Sequence, residues 1–455
     1  MPALRRIVHE IHSLEISAAT RYEQHHLVVG RSRVEALFAD PALASVRVHI
    51  AAPGDPVRII APLDVVEPRS KGSGGGAFPG WMAPVNRQRG GDIHVLRGAT
   101  VLAAGFLPRN QEGLIDMSGP AAQLSPFGRT NNVVIEFDRA DGASCQEAEI
   151  ALRRGLLRVA VHLADAAVDA APDTIEELAP PHRPGTPTGG LPRVGVITNL
   201  QTQGAFKDVF VYGRSMAGSL PTLFDPAEIE EGAVVSGQYG HPALRNPTYL
   251  HQNHPVIAEL RARDGRDLHF AGVVLCPEPV EQGDKELVST HAAWLCRAAG
   301  FDAAIVTKEG AGNADNDLML KVDALEADGL TAVALYAEMS GADGTGPPLV
   351  AGPRRGAIVS TGNYDQRVTL PAVERALGGA RLRIADAEAT AAVEVPTAAI
   401  LSALSPLGAG RLTCRSNEEQ PVGQKSVAEQ SVGQKSVGQK SVDQQLVGQQ
   451  SGGTA

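Results

Sequence analysis

Six apolar runs recur between residues 193 and 363, and they limit what this chain can fold into more than any other feature. They are "RVGVITNL" from Arg193, "GAVVS" from Gly232, "DLHFAGVVLC" from Asp267, "FDAAIVTKEG" from Phe301, "GLTAVALYAEM" from Gly329 and "RGAIVSTGN" from Arg355. Near-continuous apolar runs of this length predict strands buried on both faces. Helical or loop stretches separate them, and "ELVSTHAAWLCRAAG" from Glu286 has the spacing of an amphipathic helix. Buried strands alternating with helices predict an α/β fold with a mainly parallel, doubly wound sheet.

The chain before this region reads differently. "HHLVVG", "ASVRVHIAAPG", "DPVRIIAPLDVVEPR", "GDIHVLRGATVLAAG" and "NNVVIEFDRA" predict short strands punctuated by Pro and Gly, partly antiparallel. From Cys145, "CQEAEIALRRGLLRVAVHLADAAV" switches to helical period. The expected organisation is therefore an N-terminal mixed α+β domain rich in strands over 1–185 and an α/β sheet domain over 186–410. A tail over 411–455 follows, in which a five-residue unit resembling "VGQKS" repeats without large apolar anchors. "APPHRPGTPTGGLPR" from Ala179 has linker composition, and the tail has the composition of a disordered segment.

Composition narrows the function. A net charge of -10 with no long basic run argues against nucleic-acid binding. No window reaches the roughly 18 apolar residues of a membrane span, and "MPALRRIVHEIHSLEIS" lacks a signal-peptide apolar core. The four cysteines, Cys145, Cys276, Cys296 and Cys414, form no CxxC pair, which argues against a zinc or disulfide scaffold. A cytoplasmic protein with reduced thiols is expected.

Polar residues gather after the apolar runs, where ligands of this fold class bind. "QTQG" brings Gln201, Thr202 and Gln203; "EGAGNADND" brings Glu309, Asn313, Asp315 and Asp317; "TGNYD" brings Asn363. Lys308 and Glu309 are candidates for a buried pair, while Asp315 and Asp317 read as two exposed acids or a divalent-cation site. Glu112, Asp116 and Ser118 are candidates for acid–base work or for an ordinary Asx turn. The loop "VVSGQYGHPALRNPTYLHQNHP" from Val234 carries His241, His251 and His254 with Asn246 and Asn253. Its histidines have three readings: ligands of a divalent metal, substrate-binding or proton-moving groups, or loop residues satisfied by hydrogen bonds.

Taken together, "APGDPVRI", "DVVEPR", "GGAFPG", "QEGLIDMSGP", "PFGRTNN", "LQTQG", "NPTYLHQNHPVIAEL", "EGAGNADNDLM" and "GAIVSTGN" resemble one family across roughly residues 45 to 385. It is the proprotein of component B of the glycine, sarcosine and betaine reductases, with a relative in D-proline reductase. The resemblance implies a precursor that breaks itself at a cysteine to make a pyruvoyl, which forms a Schiff base with a substrate amine. It also implies a beta-type partner subunit whose selenol or thiol attacks the activated carbon, giving reductive C–N cleavage.

This chain departs from the family at that point. The family's cysteine precedes the "NPTY" motif, soon after a Ser-Gly pair, and here Tyr239 stands there. Self-cleavage needs a heteroatom on Cβ that attacks the preceding carbonyl and then leaves; a ring hydroxyl cannot do this. The expectation is an uncleaved, pyruvoyl-free homologue with Tyr239, His241 and His251 in the catalytic loop. Gln201, Thr202, Gln203, Asn246, Asn253, His254, Glu309, Asn313 and Asn363 would line the substrate site. It would act in a hetero-oligomer on a small amine or betaine-like substrate, without nucleic acid or membrane. Two alternatives stand beside it: a metal-assisted, non-reductive enzyme holding a divalent metal on His241, His251 and His254, and a non-catalytic scaffold subunit.

Overall fold

The structure is a computed structural model that describes residues 3–72, 76–85, 90–108, 110–179, 188–202, 209–346, 352–354 and 356–409. The repeat tail from 411, Gln203 and most of the linker lie outside the described residues.

The N-terminal region is rich in strands. One sheet holds β1 (Leu43–Ala51), β2 (Pro62–Val66), β3 (Ala99–Ala104) and β4 (Asn131–Arg139) in the order β1-β4-β3-β2. β3 and β4 are parallel and the outer pairs antiparallel. α1 (Cys145–Asp165) begins at a capping box, in which Ser144 and Glu147 satisfy each other's free amides. Its apolar stripe, including Leu152, Leu156, Val159 and Leu163, packs into the core with Val66, Val101 and Val133. The helix comes so close to Phe38 that a Cβ on Gly155 would lie 2.0 Å from the Phe38 ring, so only glycine fits there.

The second half is the parallel sheet. β5 (Arg193–Gln201), β6 (Thr222–Phe224), α2 (Thr248–Gln252), α3 (Pro255–Arg263), β7 (His269–Glu278), α4 (Gln282–Ala298), β8 (Ala303–Thr307), α5 (Asn313–Ala327), β9 (Thr331–Glu338) and β10 (Ala357–Asn363) follow in chain order. The strand order is β6-β7-β5-β8-β9-β10, with every pair parallel except β6 against β7. Ile197, Val274 and Val306 face α4 and α5, where Val288, Ala292, Leu318 and Val322 meet them. Val196, Val273 and Leu275 face Val256, Ile257 and Leu260 of α3 on the opposite side. Burial on both faces explains why these strands read as unbroken apolar runs.

One run behaves differently. "GAVVS" does not enter the parallel sheet: Val234–Val235 pairs with Phe210–Val211 in a small separate sheet. The sheet edge is taken instead by β6, antiparallel to β7. The chain also returns to its beginning, since Arg375–Leu377 pairs in parallel with residues 57–59. All described residues belong to one compact unit, Met1–Cys414. Among them Cys276 and Cys296 are buried free thiols and Cys145 a half-buried one. No described helix is long and apolar enough to cross a membrane.

Candidate functional site

The parallel register sets the chemistry side by side. Gln201 is opposite Glu278 at the carboxyl ends of β5 and β7, and Thr198 is opposite Thr307 at the end of β8. Lys308 and Glu309 therefore emerge next to Asn199 and Gln201.

Glu309 is the hub. Its Oε1 lies 3.0 Å from His251 Nε2, with both side chains fully buried. Its Oε2 accepts the Gln201 N–H at 2.7 Å, and its own N–H donates to Glu278 Oε1 at 3.2 Å. Thr202 Oγ1 donates to the Glu278 carbonyl at 2.7 Å. Gly310 follows with φ +65, and a Cβ there would meet Gln201 Oε1 at 2.9 Å. Glycine thus lets the backbone approach the Gln201 carboxamide.

Asn199, a strand-end amide in "TNLQTQG", and Glu278, which is absent from the residues singled out by sequence, both belong to this cluster. Burial, then the nearby carboxylates of Asp317 and Glu309, push the Glu278 carboxyl well above the usual range. This favours the protonated carboxyl over the carboxylate. Its Oε2, the Gln201 Oε1 and both polar atoms of the Asn199 carboxamide have no hydrogen-bond partner among the described residues. Buried polar atoms of this kind mark a site built to hold something polar. The signal for Glu278 was its position directly at the end of an apolar run.

The three histidines are dealt to different partners. His251 meets Glu309; His254 Nε2 lies 3.3 Å from Thr198 Oγ1, on the α3 side of the sheet; His241 Nδ1 lies 3.4 Å from the Tyr364 hydroxyl. Among the described residues no three His, Cys, Asp or Glu side chains converge to hold a metal ion. His241 adopts φ 42, and its N–H donates to Gln111 Oε1 at 2.5 Å. Burial, with Lys308 and Arg245 nearby, lowers its basicity. Burial and the neighbouring His251 lower His254 to about 3, so it is neutral at pH 7.

That last value has a measurable consequence. Between about 3 and 6.5 the unfolded chain binds a proton at His254 that the folded chain refuses. Stability should therefore rise with pH across this window. Urea midpoints at stepped pH should show a shallower rise for His254→Gln than for the parent chain.

Tyr239 is only 3% exposed and packs in the N-terminal core. Its hydroxyl donates to Glu149 Oε1 at 2.8 Å, and Glu149 is ion-paired with Arg153 one turn along α1. Burial and then the Glu149 carboxylate raise the phenol well above its ordinary value. Arg245, fully buried, donates to the carbonyls of Tyr239 at 2.7 Å and Pro62 at 2.5 Å. The loop is thus stapled to β2 and α1, and the Tyr239 hydroxyl belongs to a different network from His251 and Glu309.

The remaining candidates scatter. Asn246 Nδ2 donates to the Lys308 carbonyl at 3.0 Å, which ties the loop to the strand end. Asn253 accepts from Arg69 at 2.8 Å, within a buried Arg69–Glu67 cluster. Asn363 braces a turn through the Gly341 carbonyl, and Asn313 is exposed at the start of α5. Asp315 and Asp317 are buried, not exposed: Asp315 pairs with Lys308, and Asp317 lies between Lys285 and Lys321. Lys308 therefore pairs with Asp315, not Glu309. Glu112 accepts the Arg383 and Ile384 backbone amides while Asp116 pairs with Arg58, so those two carboxylates form no pair. Helix α2 starts on Asp64, which accepts Thr248 N–H at 2.8 Å and its hydroxyl at 2.7 Å. Burial, only partly opposed by these bonds, raises Asp64 to about 6.

Comparison with known proteins gives a consistent result. The sequence model for glycine/sarcosine/betaine reductase component B subunits matches residues 3–399. The "Glycine reductase complex component B subunits alpha and beta" of Peptoclostridium acidaminophilum is 35% identical over 419 residues, covering 89% of this chain and 97% of its own length. The protein of the same name from Acetoanaerobium sticklandii is 34% identical, with 89% and 98% covered. The "Sarcosine reductase complex component B subunit alpha" of Peptoclostridium acidaminophilum is 35% identical, with 81% and 87% covered. In the two glycine reductase relatives one chain carries the names of both an alpha and a beta subunit. No solved structure matches the chain significantly.

Proposed function

Because the chain belongs to the glycine/sarcosine/betaine reductase component B family, we propose that it is an uncleaved reductase subunit that works with a thiol- or selenol-bearing partner. Its substrate is a small amine or betaine-like molecule, and the reaction is reductive cleavage of a C–N or related bond. The partner is distinguished by that chemistry, not by a subunit letter.

The observation that carries this reading is the side chain at position 239. A pyruvoyl needs a heteroatom on Cβ, and Tyr239 places a carbon there and its hydroxyl on Glu149. The Ser236 hydroxyl, three residues earlier, is buried and accepts the Gln238 N–H at 3.4 Å. These residues do not fit the family's group.

The residues of this chain supply binding and proton handling. Glu309 fixes the His251 ring through the 3.0 Å contact at Nε2, which positions the imidazole to pass a proton to a leaving amine. Glu278, whose carboxyl burial pushes well above the usual range, together with the Asn199 and Gln201 carboxamides offers polar groups of both kinds to a small polar substrate. The nucleophile and the reducing electrons come from the partner.

Intact mass of the purified chain tests the reading. A single species near 47.5 kDa is expected. Two fragments divided before Tyr239, the C-terminal one blocked by a carbonyl, would overturn it.

A further inference from the structure

We propose that the outward face of α4 is a homodimer interface, on which a second copy of this chain docks antiparallel about a two-fold axis.

The face is unlike the rest of the surface. Nine large apolar side chains are exposed among the described residues, and five of them lie around one edge of the parallel sheet: Leu220, Leu223, Val280, Leu287 and Trp294. Leu220 precedes the edge strand β6 and Leu223 lies within it, Val280 precedes α4, and Leu287 and Trp294 are on α4 itself. α4 already buries Val288, Ala292, Ala293 and Cys296 against the sheet. Leu287 and Trp294 stand on the opposite side, at the middle of the solvent face, with Trp294 65% exposed. Seven residues apart, they form a stripe two turns long, about 10 Å. An exposed tryptophan of this kind is the residue type that anchors interfaces.

The helix is complementary to itself. An axis level with the Thr290–His291 peptide sets Leu287 of each helix against Trp294 of the other. Glu286 and Arg297, eleven residues apart, lie three turns along one flank of the stripe. The same axis brings Glu286 of one copy to within about 3 Å, measured along the helices, of the level of Arg297 of the other, twice by symmetry. Like charges would meet in a parallel arrangement, so charge selects the antiparallel one. Arg297 also reaches Asp328 at 3.3 Å, yet its side chain stays 64% exposed and accessible. A self-complementary patch of this sort closes as a C2 dimer.

Sedimentation velocity of the full-length chain tests this, because Glu286, Trp294 and Arg297 lie outside the cluster around Glu309 and Glu278, and neither reading depends on the other. The wild-type chain should sediment near twice 47.5 kDa. Trp294→Glu should shift it to the monomer without changing its circular dichroism. Glu286→Arg and Arg297→Glu should each weaken the dimer about tenfold or more, and the double swap should restore most of it. His291→Cys, placed beside its own copy at the axis, should cross-link into a dimer under mild oxidant. A monomeric wild-type chain, a dimer indifferent to Trp294→Glu, or a chain that pairs through α4 only with a different protein would each overturn the proposal.

Discussion

Arg58→Ala should lower the stability of the folded chain by about 3–5 kcal/mol, the usual cost of removing one partner of a buried ion pair. Arg58 and Asp116 are both completely buried and face each other across antiparallel strands. The guanidinium grips the carboxylate with two bonds, of 2.7 and 3.1 Å. Its other nitrogen–hydrogen groups reach the carbonyls of Pro371 at 2.8 Å and of Ala389 and Ala391 at 2.9 Å. One side chain therefore ties the N-terminal strands to the returning C-terminal segment. Removing it strands the Asp116 carboxyl, which burial already pushes upward, together with three carbonyls. Arg58→Lys should be nearly as harmful, since an ammonium cannot fill five directions from one plane. Arg58→Met with Asp116→Leu should recover part of the loss, because no charge is then left unpaired. Urea midpoints at unchanged slope would measure all three. A shift below about 1 kcal/mol in Arg58→Ala would contradict the structural role.

The comparison of sequence with structure follows the range of the forces involved. The parallel strands β5, β7, β8, β9 and β10 were legible because burial on both faces writes itself locally as an apolar run. α1 and α4 were legible because one-sided burial writes itself as a helical period. β6 was not: three residues, antiparallel, leave no periodic trace. The pairing of Arg375–Leu377 with residues 57–59 joins segments more than 300 positions apart, and no local pattern encodes it.

The site divides along the same line. His251 and Glu309 were singled out, but as members of separate loops; only the fold makes them a pair. Asp315 and Asp317 looked exposed because acids usually are. Lysines 308, 285 and 321, themselves buried, supply the opposite charge that makes their burial tolerable. Tyr239 was legible as a departure from its family, yet its destination was not. Glu149 and Arg153 lie within the buried stripe of α1, and a buried ion pair there is what gives a loop tyrosine somewhere to anchor.

His251→Ala should abolish most of the partner-dependent turnover, lowering kcat by about 10²–10⁴, the range that a positioned acid or base contributes. Glu309→Gln separates the two functions of the carboxylate. Glutamine can still accept the Gln201 N–H through its oxygen, so the strand ends should stay in place. Its amide NH2 then faces His251 Nε2 in place of an accepting oxygen, so the ring loses the partner that orients it. Glu309→Gln should therefore lower kcat in the same direction as His251→Ala, by a smaller factor. KM should change much less than kcat in Glu309→Gln, since the substrate-facing carboxamides of Asn199 and Gln201 are untouched. Both variants should be assayed with the thiol- or selenol-bearing partner in excess, with circular dichroism to establish that each is folded. If each retained turnover within about threefold of the parent, His251 would not be the proton donor. The loop would then serve to hold the strand ends together, and the Glu278 carboxyl, pushed upward by burial, would be the acid to examine at the same site.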